Sequence, residues 1–123
     1  MLMTKELNFN IDDIRAENRD FERWQEEMRI NSKTWYGYFF KGDNTTYVAM
    51  VSGSEEHVIP YPNMSFDEVK RRVKLDHFYH NLDGKEYRGF AKDMIEHCRV
   101  LAEARWNKDT GRTRVIQAKE QGR

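Results

Sequence analysis

The sequence predicts an α+β fold, a small antiparallel sheet (an N-terminal strand plus an aromatic hairpin) packed with an N-terminal helix and two C-terminal helices. Three observations carry that prediction. Residues 33–53 hold an aromatic-rich run and a second, mainly apolar run parted by Lys41-Gly42-Asp43-Asn44, a turn composition. Ser65-Phe66-Asp67-Glu68 is a capping box. The flanking charged segments carry apolar residues at helical spacing. At 123 residues the chain has the size of one domain, residues 1–123.

Leu7, Phe9 and Ile11 alternate with Glu6, Asn8 and Asn10, which predicts a short strand with one apolar face. Asp12 and Asp13 then suit a helix start by capping and by charge. The predicted helix runs to about Asn31, with Ile14, Phe21, Trp24 and Met28 as its buried stripe. In the hairpin, Trp35 and Phe39 share one face, while Tyr36, Tyr38 and Phe40 share the other. A one-sided sheet would alternate apolar with polar, so both faces are expected to be covered, one by helices and the other by a partner subunit or a ligand. His57 to Ile59 predicts a further short strand ended by Pro60 and Pro62.

After the capping box, with Met64 and Val69 spaced as a hydrophobic staple, a helix is expected to about Lys74, breaking or bending before Asn81. Asp83-Gly84 stops it. A long helix from Lys85 to about Asn107 then places Tyr87, Phe90, Ala91, Met94, Cys98 and Leu101 on one face. Residues 112–123 fit a strand around Val115-Ile116 or a last helical turn equally well.

Composition narrows the function classes. The net charge is zero, yet residues 1–62 hold 7 basic and 11 acidic side chains, and residues 63–123 hold 14 basic and 10 acidic. Such a polarised chain suits homo-oligomerisation. It lacks the basic excess of a general nucleic-acid binder, so nucleic acid is not the expected partner. One cysteine excludes an internal disulfide and fits a reducing, cytoplasmic setting. The N-terminal residues show no signal-peptide pattern and no stretch has the length of a membrane span, so no membrane association is expected. The sequons at Asn44 and Asn63 are read as coincidental in such a setting.

No catalytic pattern outweighs its plainer reading. His77 and His80, with His97 and Cys98, resemble metal ligands only loosely, and helix-end or surface histidines explain them better. Cys98 lies on an apolar stripe, where a thiol is a small core residue rather than a nucleophile. Neither a phosphate-binding loop nor a nucleophile elbow is present. The expectation is therefore a binder with no enzymatic activity, no cofactor and no metal.

Two places are candidates for binding. Arg15, Arg19 and Arg23 recur every fourth residue and form one row along the first helix. The plain reading is a solvated face braced by Asp20, Glu26 and Glu27; the sharper one is phosphate recognition by guanidinium forks, multiplied by oligomer symmetry. The second place is Arg105 to Arg114, which mixes Arg105, Trp106, Asn107, Thr110, Gly111 and Arg112. Those side chains can stack on a base, read its edge and hold phosphate. The alternative is a helix end whose cations complement the dipole. Phe78 and Tyr79 add a further stacking surface or a piece of core.

In size, in layout and in the spacing of Arg19 and Arg23, the chain resembles the small phage proteins that counter Thoeris immunity by sequestering its nucleotide signal. The resemblance implies capture of cyclic ADP-ribose isomers without cleavage, and of cyclic oligonucleotides by helical arginines, in the cytoplasm of an infected host. On that reading Arg19 and Arg23 hold phosphates at a symmetric interface. Arg105, Asn107, Thr110 and Arg112 form a nucleotide site on which Phe78 stacks. Two other classes stand beside it. One is a protein–protein inhibitor of a host enzyme, of the anti-CRISPR kind, docking through Trp35 to Phe40. The other is a small nucleic-acid-binding regulator using Lys70 to Lys74 and the basic tail.

Overall fold

The computed structural model describes residues 9–28, 34–81 and 92–111. Helix α1 spans Ile11–Met28. Its cap is Asn10, whose Oδ1 accepts a hydrogen bond from the Asp13 amide at 3.1 Å. Asp12 and Asp13 therefore lie inside the first turn, where their charge favours the positive end of the helix dipole. The expected N-terminal strand does not reach Ile11, which already opens the helix, and its residues 6–8 lie outside the described residues. The buried positions of α1 are Ile14, Asn18, Phe21 and Gln25. Their spacing is helical, but two of the four are polar, so apolarity alone does not mark the stripe.

The described sheet has four strands in the order β3-β2-β1-β4. β1 (Tyr36–Lys41) and β2 (Thr45–Ser52) are the antiparallel hairpin, in the register Tyr38 to Ala49 and Phe40 to Tyr47. β3 (Glu55–Pro62) extends the meander and is longer than expected, since Pro60 and Pro62 sit inside it. A proline survives in an edge strand when its nitrogen faces away from the ladder. The Asn63 amide donates to the Asn44 carbonyl at 2.6 Å, so by alternation Pro60 and Pro62 direct their nitrogens outward. On that outer side the Asn18 amide donates to the Pro60 carbonyl at 2.7 Å, which covers part of the edge with α1.

Ser65 caps α2 (Phe66–Arg72) by accepting from the Glu68 amide, as the capping box requires. Met64 and Val69 join the same apolar cluster. The helix ends at Arg72, two residues before the expected Lys74, and the chain turns into β4 (His77–His80), which pairs parallel to β1. The sheet is therefore mixed. Two side chains clip β4 in place. Asp76 Oδ2 accepts from the Trp35 amide at 2.8 Å, and Asn81 both accepts from the Lys41 amide at 2.7 Å and donates to the Lys41 carbonyl at 3.2 Å. Helix α3 spans Lys92–Thr110, and the expected start at Lys85 lies outside the described residues, as do residues 112–123. Among the described residues no helix is long and apolar enough to cross a membrane.

Both faces of the hairpin are covered, and by this chain's own helices. Trp35, Phe39, Val48, Met50 and Ile59 pack with Phe21 of α1 and Val69 of α2. Tyr38, Phe40, Tyr47, Ala49 and Val51 pack with Ile95, Cys98 and Ala102 of α3. The face expected to meet a partner or ligand is thus core. Aromatic residues make this thin sheet bury well: Trp24 stacks between Phe21 and Trp35, with ring centroids 5.8 Å from each. Gly37 is required by a close approach, because a Cβ there would stand 2.5 Å from Leu75 Cδ1 and 2.8 Å from the Ala49 carbonyl oxygen.

Candidate functional site

Of two cavities lined by described residues, the larger is a groove of about 690 Å³ where the end of α1, α2 and β4 meet over the Trp35–Phe39 face of β1. Its position follows from how the α2–β4 connector is pinned. The buried Gln25 side chain accepts from the Lys74 amide and donates to the Lys74 carbonyl, each at 2.9 Å, as a strand neighbour would. Asp76 and His77 then both donate their amides to the Trp35 carbonyl. With the connector fixed at both ends, Lys70, Lys74 and Phe78 line one groove with Trp35, Phe39 and His77.

Phe78 meets Phe39 edge-on, with centroids 5.3 Å apart. The Lys70 ammonium stands 5.4 Å from the Phe78 ring centroid and 5.8 Å from that of Phe66, within the range of cation–π attraction. The groove thus offers aromatic surface, a cation already poised over it, and a second cation at Lys74. Asp76 contributes the only carboxylate in the described lining, and its Oδ2 is engaged by the Trp35 amide. His77 stacks on Tyr36 with centroids 5.2 Å apart. Such a lining can hold an anionic group beside a flat ring.

The residues singled out in the sequence fall in different places. Phe78 lines the groove. Arg19 and Arg23 are exposed on α1 and line neither this groove nor the smaller cavity; Arg23 pairs with Asp20 at 2.6 Å. Arg105 turns inward: its Nε lies 3.0 and 2.9 Å from the two oxygens of the buried Asp109, and its Nη1 donates to the Val58 carbonyl at 3.4 Å. The Tyr47 hydroxyl donates to the same Asp109 at 3.1 Å. Burial and the Asp109 carboxylate both push the Tyr47 phenol well above its ordinary range. Asn107 is half-buried on α3, and Thr110 is buried with its hydroxyl donating to the Trp106 carbonyl at 2.7 Å. Thr110 and Trp106 line the smaller cavity, of about 150 Å³, with Asp43, Asn44, Thr45 and Asn63. Arg112 lies outside the described residues.

The histidines are dispersed. β4 is a strand, so His77 and His80 point to opposite faces, His77 against Tyr36 and His80 against Phe66. His97 pairs with Glu56 at 2.6 Å. Among the described residues no group of three or more His, Cys, Asp or Glu side chains is placed to hold a metal ion. Cys98 is wholly buried under the sheet, and burial pushes its thiol up to about 12.

The sequence singles out Lys70 to Lys74, Trp35 to Phe40 and Phe78 in separate readings, and no local signal joins them in one groove. Lys70 and Lys74 stand four apart, the same spacing as the arginine row, but Lys74 lies beyond the end of α2, and its place in the groove depends on Gln25, 49 residues away. No protein-family model, curated protein or solved structure matches the chain.

Proposed function

We propose that the chain is a non-catalytic binder that captures a small phosphate-bearing nucleotide in the groove between α2 and β4. The carrying observation is the juxtaposition of the Lys70 and Lys74 ammonium groups with the Phe78 and Phe39 rings in one groove of about 690 Å³. A base stacks on Phe78 in place of the Lys70 ammonium, which swings to the phosphate. Exchanging a cation–π contact for a charge-assisted bond is favourable. The resemblance to Thoeris anti-defence proteins supplies the ligand class: cyclic ADP-ribose isomers first, cyclic oligonucleotides second, sequestered stoichiometrically in the host cytoplasm. In a homo-oligomer, the exposed Arg19 and Arg23 add phosphate contacts, since a solvent-exposed pair such as Arg23–Asp20 is cheap to rearrange.

Calorimetry of the intact chain with cyclic ADP-ribose isomers and cyclic oligonucleotides tests this. The expected result is saturable binding near one ligand per groove, with no product on prolonged incubation. Lys70→Ala and Phe78→Ala should each weaken it roughly tenfold, the value of one charged or stacked contact. Absence of heat with every ligand at protein concentrations well above micromolar overturns the proposal. The protein–protein reading loses its motive, because the aromatic hairpin is covered on both faces by α1, α2 and α3.

A further inference from the structure

The groove offers cations for a phosphate and rings for a base, and Asp76 stands in the same lining. Its place is set from three sides. Gln25 holds Lys74 just before it, the Asp76 amide donates to the Trp35 carbonyl at 2.9 Å, and the Trp35 amide donates in return to Asp76 Oδ2 at 2.8 Å. That exchange clips β4 to the sheet, but it needs an acceptor and not a charge. The side-chain oxygen of an asparagine would serve the clip as well. The clip therefore gives no role to the second carboxylate oxygen, Oδ1, on a residue that is exposed to solvent.

The relation of Asp76 to the rings supplies that role. Asp76 immediately precedes β4, and Phe78 follows two residues on. Residues two apart in an extended chain stand about 6.6 Å apart, and both of these line the groove. Lys70 reaches the Phe78 ring from α2, with its ammonium 5.4 Å from the centroid. A flat ring lying on Phe78 thus meets a cation from α2 and a carboxylate at the start of β4. The carboxylate repels phosphate and the ammonium attracts it. Together they orient a nucleotide, with its phosphate toward Lys70 and the edge of its base toward Asp76.

We propose that Asp76 is the specificity-determining residue of the groove and selects a base that carries an exocyclic amine, as adenine does. The inference rests on the nucleotide reading of the groove and adds which kind of base it takes. An ionised carboxylate only accepts hydrogen bonds. The amino group of adenine gives it a donor. A purine with hydrogen in place of that group gives none, and its binding costs the carboxylate its water without a bond in return. A site that hydrogen-bonds one group of its ligand rejects the analogue lacking that group, because its own polar atom is left unpaired. Asp76 suits this task because its backbone and its Oδ2 are already held, so that little freedom is lost when Oδ1 engages the base.

Calorimetry of the full chain with adenosine monophosphate and with purine riboside monophosphate, which lacks only the exocyclic amine, tests it. The adenine nucleotide is expected to bind about tenfold more tightly, the difference made by one hydrogen bond to a charged group. In Asp76→Asn the side-chain oxygen keeps the bond from Trp35, and an amide nitrogen, which cannot accept, takes the place of Oδ1. The preference should then fall below about twofold, while the urea midpoint stays near that of the wild type. Equal binding of the two nucleotides by the wild type overturns the proposal, as does a preference that survives in Asp76→Asn. If both bind equally and both weaken in Lys70→Ala, nucleotide capture by the groove stands and only the choice of base falls. If neither binds at millimolar nucleotide, both readings fall.

Discussion

Arg105 and Arg23 are both arginines on helices with a carboxylate nearby, yet their energetic roles are opposite. Arg23 meets Asp20 with both side chains about 70% exposed, so solvent screens the pair. Arg105 meets Asp109, whose side chain is 5% exposed and which also accepts from the Tyr47 hydroxyl. Removing the cation leaves a buried carboxylate without compensation. Arg105→Ala is therefore expected to destabilise the fold by about 3 kcal/mol, whereas Arg19→Ala and Arg23→Ala should stay within about 0.5 kcal/mol. Urea unfolding of the three variants checks this. An Arg105→Ala protein of wild-type stability would refute the inward assignment. In the sequence all three look like cations on charged helices. What separates them is Asp109, four residues after Arg105, and Tyr47, 62 residues before Asp109, and only the second is invisible to local reading.

At the scale of elements, local signals succeeded where they concern one segment. The α2 cap, the hairpin and the turn at Gly42 to Asn44 are all written in adjacent residues. They failed where a polar side chain substitutes for a strand neighbour. Asn18 and Gln25 sit on the buried face of α1 because they pair with backbone of β3 and of the α2–β4 connector. β4 is only four residues long and its edge positions are set by Asp76 and Asn81. A segment that short has no periodicity to read, so His77 and His80 could pass for a helical pair. Asn81→Ala removes the two hydrogen bonds to Lys41 and should cost about 1–2 kcal/mol. It should also speed amide exchange in β4 while leaving β2 protected. Gln25→Ala should cost about 2 kcal/mol by leaving both backbone groups of Lys74 unpaired. On the proposed function, it should also weaken nucleotide capture, because Lys70 and Phe78 lose their common frame. Retained affinity in a folded Gln25→Ala protein would count against that site.

At the scale of the whole molecule, the sheet buries protonated groups on both of its faces. Tyr61 donates to Glu22 at 3.0 Å on the α1 side, and Tyr47 donates to Asp109 on the α3 side, where Cys98 also lies. Burial is the main cause in each case, and it holds all three acids above their ordinary values, Cys98 up to about 12. A raised value in the folded state means that the fold keeps its proton after the unfolded chain has lost it. The associated stability is therefore complete below the ordinary values, 9.0 for the thiol and 10.0 for the phenols, and falls as pH rises beyond them. The urea midpoint should hold near neutral pH, begin to fall near pH 9 as unfolded Cys98 ionises, and fall more steeply above pH 10 as the tyrosines join. General charge repulsion at high pH predicts a decline too, so the slope in variants decides. Tyr47→Phe with Tyr61→Phe should start lower at pH 7, having lost two hydrogen bonds, yet decline less steeply above pH 10 because no phenol remains to ionise at either site. Parallel declines in the two proteins would assign the alkaline loss to overall charge instead of to these buried protons.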